Sequence, residues 1–341
     1  MEPVEALKRI AFLLERGRAP TYKVRAFRGA AASVEEAGTE RVRALADAGR
    51  LTDLPGVGDT TARVITEALA GDVPAYLGHL ESEGETEEEQ VTPEVAALRA
   101  QLLGDCHSHS DWSDGGSPIR EMAEAARALG HEYLVLTDHS PRLTVAHGLN
   151  RERLLEQLDV LAELNEELAP FRILTGIEVD ILEDGGLDQE EELLARLDVV
   201  VASVHSKLRM ERAEMTRRMV AAIESPHTDI LGHCTGRILV GRGRPQSQFD
   251  PDAVFEACAR TGTAVEINSR PERLDPPEEL LSAAVEAGCY VSIDTDAHAP
   301  GQLEWLVLGC AKAVATQVPE NRIVNSWKAD KLLRWTADHA A

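Results

Sequence analysis

The feature that most constrains the fold is a unit that recurs after residue 104. In each unit a short apolar run ends in His, Asp, Glu or Asn, and an amphipathic helical segment follows, as in Leu134–His139, Val199–His205 and Tyr290–His298. Continuous apolar runs are typical of strands covered on both faces, and strand–helix alternation indicates parallel strands. Seven such units occur, close to the eight of a TIM barrel. We therefore predict an α/β fold built as a TIM-like barrel.

The polar residues that end these runs form a candidate metal site. In a parallel barrel the C-terminal ends of all strands lie on one face. A single histidine at a strand end is more often a structural residue, but six at one face favour a metal site. Imidazole and carboxylate groups without thiolates suit Zn, Mn or Fe, and we expect up to three ions. The nine candidates are His107, His109, Asp114, His139, Glu178, His205, His233, Asp296 and His298.

Charge indicates what such a site binds. The chain has a net charge of −24, yet three divalent ions would outweigh the three candidate carboxylates. A locally positive site suits a phosphate ester, hydrolysed by metal-activated hydroxide. We expect Glu178, His205 and Asp296 to act in catalysis.

Several polar residues just beyond the strands are candidates for substrate contacts. Guanidinium and ammonium groups there could hold phosphate oxygens, with a solvated loop charge as the alternative. The cations are Lys207, Arg209, Arg237, Arg242, Arg244 and Arg270. Asn268 ends a strand and could orient substrate or a ligand, with a plain cap as the alternative. Our substrate-binding candidates are Lys207, Arg237, Asn268 and Arg270.

The first 80 residues differ in character. Residues 1–28 carry seven basic and three acidic side chains. The sequence LPGVG at 54–58 supplies Gly56 and Gly58 for a tight turn, and the N–H groups opening the next helix could meet a phosphate. A simple packing turn is the alternative. The candidate DNA contacts are Lys23, Arg25, Arg28, Gly56, Val57 and Gly58.

Composition divides the chain. Residues 81–100 contain seven glutamates and one arginine, too little apolar surface to fold alone. We predict domains at 1–80 and 101–341 joined by an acidic linker at 81–100. No apolar run is long enough for a membrane span. The five scattered cysteines favour reduced thiols and a cytoplasmic protein.

These motifs carry a family resemblance. HSH with a following SDG, then TDH, GIEVDI, SVHSK, GH, EIN and DAH occur in that order, which resembles the PHP (polymerase and histidinol phosphatase) family. The resemblance implies a distorted seven-stranded barrel with a trinuclear centre whose ligands are the nine residues above. It implies that Glu178 bridges two ions, with Asp114, His139 and His298 around the third.

The segments HCTGRIL and EINSRPERLDPPEEL resemble bacterial family X DNA polymerases, and residues 4–78 resemble their small helix-hairpin-helix domain. That likeness implies a 3′–5′ exonuclease that acts on DNA, as a single strand or at 3′ ends, with a role in DNA repair. The chain departs from the family pattern in two ways. No palm separates the two regions, which predicts no polymerase activity. Val64 stands where some members have a lyase lysine.

Two alternatives remain open. One is a phosphomonoesterase of the histidinol-phosphate phosphatase type, acting on a small phosphorylated substrate. The other is a DNA-binding protein without catalysis.

Overall fold

The computed structural model describes residues 1–88 and 91–339. The chain divides into two compact units between Val91 and Thr92.

The first unit is helical. Apolar residues at helical spacing on α1 pack against α2, α4 and α5, and Leu7, Ile10, Phe27, Ile65 and Leu77 are buried in this core. A 3₁₀ turn at Leu51–Asp53 precedes the tight turn. The helices are α1 (Pro3–Arg16), α2 (Thr21–Ala37), α3 (Thr39–Asp47), α4 (Asp59–Leu69) and α5 (Ala75–Glu88).

The expected acidic linker is largely helical instead. Helix α5 continues to Glu88, and α6 (Pro93–Gln101) is part of the second unit. Thr92 caps α6 through Val95 N–H, and Arg99 contacts His131 at 3.0 Å. Glutamate is a good helix former, so a charge run that cannot form a core can still extend a helix.

The second unit is the predicted seven-stranded α/β barrel. All neighbouring strands are parallel and follow chain order. The strands are β1 (Gly104–Ser108), β2 (Tyr133–Leu136), β3 (Arg172–Asp180), β4 (Val199–Ser203), β5 (Ile230–Leu231), β6 (Ala264–Asn268) and β7 (Val291–Asp294). Ser108 bridges Ala297, and the His109 N–H donates to the Ala297 carbonyl at 2.8 Å. These contacts join the last strand to the first at one end.

Helices surround the strands, because the strand residues are apolar on both faces and need cover. The helices are α7 (Ile119–Ala128), α8 (Arg151–Leu168), α9 (Glu191–Leu194), α10 (Arg212–Ile223), α11 (Pro251–Thr261), α12 (Glu278–Glu286), α13 (Leu306–Ala315) and α14 (Ala329–His339). Short 3₁₀ segments lie at Thr144–Ala146, Pro300–Trp305, Glu320–Arg322 and Val324–Ser326.

The two ends of the barrel differ in chemistry. Tyr133 and Val199, the first residues of β2 and β4, pack in one apolar cluster with Val324, Trp327 and Leu332 of the C-terminal segment. That apolar cluster closes the end of the barrel at which the strands begin. The opposite end, called the mouth below, receives the polar residues that follow each strand.

All five cysteines are buried free thiols. Among the described residues, every helix is too short or too polar to cross a membrane.

Arg218 on α10 provides a test of how this fold is held together. Its side chain is 1% exposed, and its guanidinium donates to the carbonyls of Ile181 (3.0 Å), Leu182 (2.8 Å) and Ser206 (2.9 Å). Arg218→Met would leave these carbonyls unsatisfied and should lower the free energy of unfolding by about 3 kcal/mol. Urea unfolding followed by barrel tryptophan fluorescence measures this. The neighbouring exposed Arg217→Met is the control, and equal stability of both variants would contradict the assignment.

Candidate metal centre

Strand ends bring the candidate ligands together at the mouth. His107 lies in β1 and His109 follows two residues later, so both side chains point to the same side. Glu178 lies inside β3 and pairs with His139 in a backbone bridge. The remaining candidates follow β4, β5 and β7: His205, His233, Asp296 and His298. Asp114 comes from the loop after β1.

Glu178 is the centre of the cluster. Its side chain is 1% exposed, and five imidazole nitrogens lie within 3.6 Å of its two oxygens. These are His233 Nε2 at 2.8 Å, His139 Nδ1 at 2.9 Å, His205 Nε2 at 3.2 Å, His107 Nε2 at 3.4 Å and His109 Nε2 at 3.6 Å. A buried charge needs such partners to be tolerated.

A second group forms at the outer side of the mouth. Asp114 Oδ1 lies 3.2 Å from His298 Nε2 and 3.5 Å from His139 Nε2. With His109, these residues offer ligand atoms that are all within 4.8 Å of one another. The Asp114 side chain is 36% exposed, so this group faces incoming molecules.

The donor set fits divalent ions. Three further groups have ligand atoms within 4.8 Å of one another: His107, Glu178 and His233; His107, His109 and Asp296; and His139, Glu178 and His205. Several buried atoms of these residues have no hydrogen-bond partner: Nε2 of His107, both ring nitrogens of His109, Nδ1 of His139, His205 and His233, and Oε2 of Glu178. Unpaired buried nitrogens that converge on carboxylates are expected where cations bind.

Burial and the charges of neighbouring residues shift the pKa values of several groups in the cluster. Burial lowers the pKa of His109 to about 3, aided by the charges of His298 and His139. Burial lowers the pKa of His205 as well, but the charges of Glu178 and Asp180 and the hydrogen bonds to both together outweigh it and raise that pKa to about 9. For Glu178, burial is outweighed by the charges of His205, His107 and His139, which hold its pKa well below the usual range. Metal ions would take the place of protons here.

Buried carboxylates behind the histidines fix their orientation, and they are absent from our sequence-based list. Glu266 Oε1 lies 2.5 Å from His107 Nδ1, and its other oxygen accepts the backbone N–H of His233. Asp180 Oδ1 accepts the backbone N–H of His205 at 3.1 Å. A carboxylate on the ring of a ligand histidine, as Glu266 is on His107, sets the orientation and basicity of that ring. Glu266 precedes Asn268 by two residues in β6, so strand alternation alone could have identified it.

Asp138 organises the loop that carries Asp114. It is 1% exposed and accepts hydrogen bonds from Ser110 N–H at 2.8 Å, Ser113 Oγ at 2.5 Å and Gln157 Nε2 at 2.7 Å. The TDH motif therefore supplies the candidate ligand His139 and also Asp138, which holds the loop that carries a second candidate ligand, Asp114.

Two predicted substrate residues, Asn268 and Arg237, are hydrogen-bonded to other residues of the barrel. Asn268 is buried, and its Nδ2 donates to Asp296 Oδ2 at 3.2 Å and to Glu266 Oε2 at 3.3 Å. Arg237 donates from Nε to the Arg273 carbonyl at 2.9 Å and also to the Leu274 carbonyl. The Asn268 amide thus holds the candidate metal ligand Asp296, and the Arg237 guanidinium holds the loop at residues 273–274.

The other substrate candidates lie at the mouth. Arg270 Nη1 is 3.1 Å from His298 Nδ1 and 3.5 Å from Asp296 Oδ1. Lys207 is exposed beyond His205, and its Nζ lies 4.0 Å from Glu183. Arg273, absent from our sequence-based list, places Nε 3.3 Å from Asp296 Oδ2.

The first unit has its own candidate site at the turn before α4. Gly56 has φ +72°, which favours glycine, and the Gly58 N–H is bonded to Thr61 Oγ1 at 2.9 Å. Lys23 and Arg25 are exposed on α2.

Two other predicted DNA contacts in this unit have roles within the fold. The Val57 side chain is buried in the core, and its N–H donates to the Leu54 carbonyl at 3.2 Å. Arg28 donates from Nε to the buried Glu15 at 2.7 Å.

Comparisons with known proteins agree with this architecture. Residues 1–73 match a helix-hairpin-helix domain model, and residues 105–270 match the PHP domain model. The DNA polymerase/3′-5′ exonuclease PolX of Bacillus subtilis is 42% identical over 226 residues, 66% of this chain. This chain spans only 39% of that protein's length. A probable phosphatase of Thermoanaerobacter sp. is 30% identical over 58% of this chain and 80% of that protein.

Among solved structures, the histidinol phosphate phosphatase of Lactococcus lactis, complexed with zinc, L-histidinol and phosphate, has a TM-score of 0.47 at 19% identity. The match covers 64% of this chain and 94% of that chain.

Glu178→Gln tests the centre of the cluster. The amide keeps the size but removes the charge and half of the ligand oxygens, so purified protein should hold about one to two fewer metal equivalents per chain. Metal analysis by mass spectrometry measures this, with the exposed Glu192→Gln as control. Unchanged metal content in Glu178→Gln would show that ions bind elsewhere.

Glu266→Gln tests the support behind His107. The substitution weakens orientation without removing a candidate ligand, so metal affinity should fall roughly 10–100-fold. Competition with a chelator gives the affinity, and the exposed Glu256→Gln serves as control. A loss as complete as that of Glu178→Gln would mean that Glu266 is itself a ligand.

Proposed function

We propose that this chain, which belongs to the PHP domain family of phosphate ester hydrolases, is a metal-dependent 3′–5′ exonuclease acting on DNA. One observation carries the proposal: a single chain joins a helix-hairpin-helix domain to a mouth where nine imidazole and carboxylate side chains converge. Helix-hairpin-helix domains in general bind nucleic-acid backbones. A cluster of imidazole and carboxylate groups suits metal-dependent hydrolysis of a phosphate ester.

The proposed ligands are the nine residues named above, holding up to three Mn, Zn or Fe ions. Such ions would lower the pKa of water and neutralise charge on phosphoryl oxygens. Glu178 keeps five imidazole groups turned towards one space, and we place it, with His205 and Asp296, at the reacting phosphoryl group.

Two arginines are the proposed phosphate holders. Arg270 and Arg273 place guanidinium nitrogens within 3.5 Å of the Asp296 carboxylate. Because ions would draw that carboxylate away, the guanidinium groups could turn to phosphate oxygens, which they bind through charge-assisted hydrogen bonds. Lys207 is exposed and could add charge further out.

DNA binding by the first unit is assigned to Lys23, Arg25, Gly56 and the N–H groups at the start of α4; the Gly58 N–H itself is bonded to Thr61 Oγ1. The two cations are exposed, and the N–H groups that begin α4 point along its axis towards the turn. We do not assign Arg28 or Val57 to this role, since both are used in the fold.

A second candidate is a phosphomonoesterase for a small phosphorylated substrate. It is favoured by the probable phosphatases among the relatives, one of which this chain covers over 80% of its length. The net charge of −24 would also repel a long polyanion away from the cluster.

A DNA-binding protein without catalysis is disfavoured by the converging donor set. We also propose that polymerase and lyase activities are absent. Only residues 74–104 separate the two matched segments, and Val64 is buried in the core of the first unit.

The test is a side-by-side assay of full-length protein with Mn²⁺ on 5′-labelled DNA and on an aryl phosphate. Exonuclease action should give a ladder shortened from the 3′ end. Lys23→Ala with Arg25→Ala should lower kcat/KM for DNA about tenfold, since each lost phosphate contact weakens binding, and should leave aryl phosphate turnover unchanged. Arg41→Ala with Arg43→Ala, exposed cations on α3, is the matched control.

The outcomes separate the candidates. Rapid aryl phosphate hydrolysis with intact DNA would favour the phosphomonoesterase, and shortening from the 5′ end would contradict the polarity. DNA binding without hydrolysis of either substrate would favour the third alternative. Full activity in a His107→Ala, His109→Ala variant would rule out this metal centre.

A further inference from the structure

The loop at residues 235–247 stands out by its chemistry. It follows β5 and His233, so it lies at the mouth, and the Ser247 N–H bonded to the Thr235 carbonyl closes it at its base. In the described part of the second unit, the exposed large apolar side chains are Val145, Leu239 and Val240. Leu239 and Val240 lie at the tip of this loop, and their exposed fractions are 54% and 42%. Exposed apolar pairs beside a candidate active site indicate contact with another molecule.

The loop is built to hold these two residues outward. Ile238 and Arg244 pair as a short antiparallel bridge, with hydrogen bonds of 2.9 Å in both directions. Between them, Gly241 and Gly243 have φ values of +65° and +64°, which favour glycine and make the reversal possible. Leu239 and Val240 are therefore exposed by a defined turn rather than by a lack of local structure.

The same loop is tied to the segment that carries the proposed phosphate holders. The Leu239 N–H donates to the Glu272 carbonyl at 2.7 Å, and Arg237 donates to the Arg273 carbonyl at 2.9 Å. The apolar pair is thus fixed relative to Arg270 and Arg273. A bound group that reaches both places would have a phosphate at one end and an apolar face at the other.

Charge indicates which partner fits. Residues 235–247 contain three arginines and no acidic residue, within a chain of net charge −24. Arg242 is exposed at the turn. Arg237 and Arg244 donate to backbone carbonyls, so Arg242 is the arginine of this loop whose charge is exposed beside the apolar pair and suited to a phosphate group. Unpaired nucleotides combine a phosphate backbone with apolar base faces, and both features match the loop.

We propose that the 235–247 loop receives the unpaired 3′ end of a DNA strand, with Leu239 and Val240 against the terminal bases and Arg242 near the backbone. This inference rests on the proposed nuclease function and deepens it, because it makes a single-stranded end the preferred substrate. Apolar side chains that wedge against bases are a known way to hold a nucleic acid in an open form.

The test compares kcat/KM of full-length variants on a DNA with a single-stranded 3′ end, with aryl phosphate as a readout of the metal centre. Leu239→Ser with Val240→Ser should lower the DNA value about tenfold and change aryl phosphate hydrolysis less than twofold. Exposed positions tolerate such changes without unfolding. Val145→Ser, at the remaining exposed large apolar residue in the described part of the second unit, is the matched control and should have less than a twofold effect. Leu239→Phe should retain the wild-type value.

The possible results distinguish failure of the loop inference from failure of the nuclease function. If the wild type degrades DNA and the double variant does so equally well, the loop inference is overturned and the nuclease function stands. An equal loss on DNA and aryl phosphate would also overturn it, since the loop would then act through the metal centre. If the wild type hydrolyses aryl phosphate but not DNA, the nuclease function and the loop inference both fail.

Discussion

The buried carboxylate of Glu178 is the constraint on which the rest of the second unit depends. A charge at this depth is tolerated only with close cationic or hydrogen-bonding partners, and it has five imidazole nitrogens within 3.6 Å. Those partners come from four other strands of the barrel. Seven parallel strands in chain order place all of their ends at one face, so a single fold supplies the whole set.

The two ends of the barrel make this arrangement possible. Aromatic and aliphatic side chains from the C-terminal segment seal the end where strands begin, which leaves the mouth free for polar groups. Behind the candidate ligands, Glu266, Asp180 and Asp138 use their oxygens to hold histidines and a loop. The site is thus supported by carboxylates that never need to reach a substrate.

Much of this was predictable from the sequence, and the remainder was not for physical reasons. Apolar runs followed by polar residues identify strands and their C-terminal ends, so the barrel and the nine converging residues follow from local patterns. The direction of a long side chain depends on packing from distant segments. Arg237 and Arg28 therefore looked like available cations, yet one donates to loop carbonyls and the other to buried Glu15. The two-residue spacing places Glu266 on the Asn268 face of β6, but its contact with His107 depends on how distant segments pack, so its role was missed.

Divalent ions are proposed to bind among these nine side chains. Anomalous diffraction from crystals of the full chain grown with Mn²⁺ tests it most directly. We predict two or more peaks at the mouth, with the Glu178 carboxylate placed to bind two of the ions directly. Peaks confined to surface carboxylates, with none within reach of Glu178, would contradict the claim.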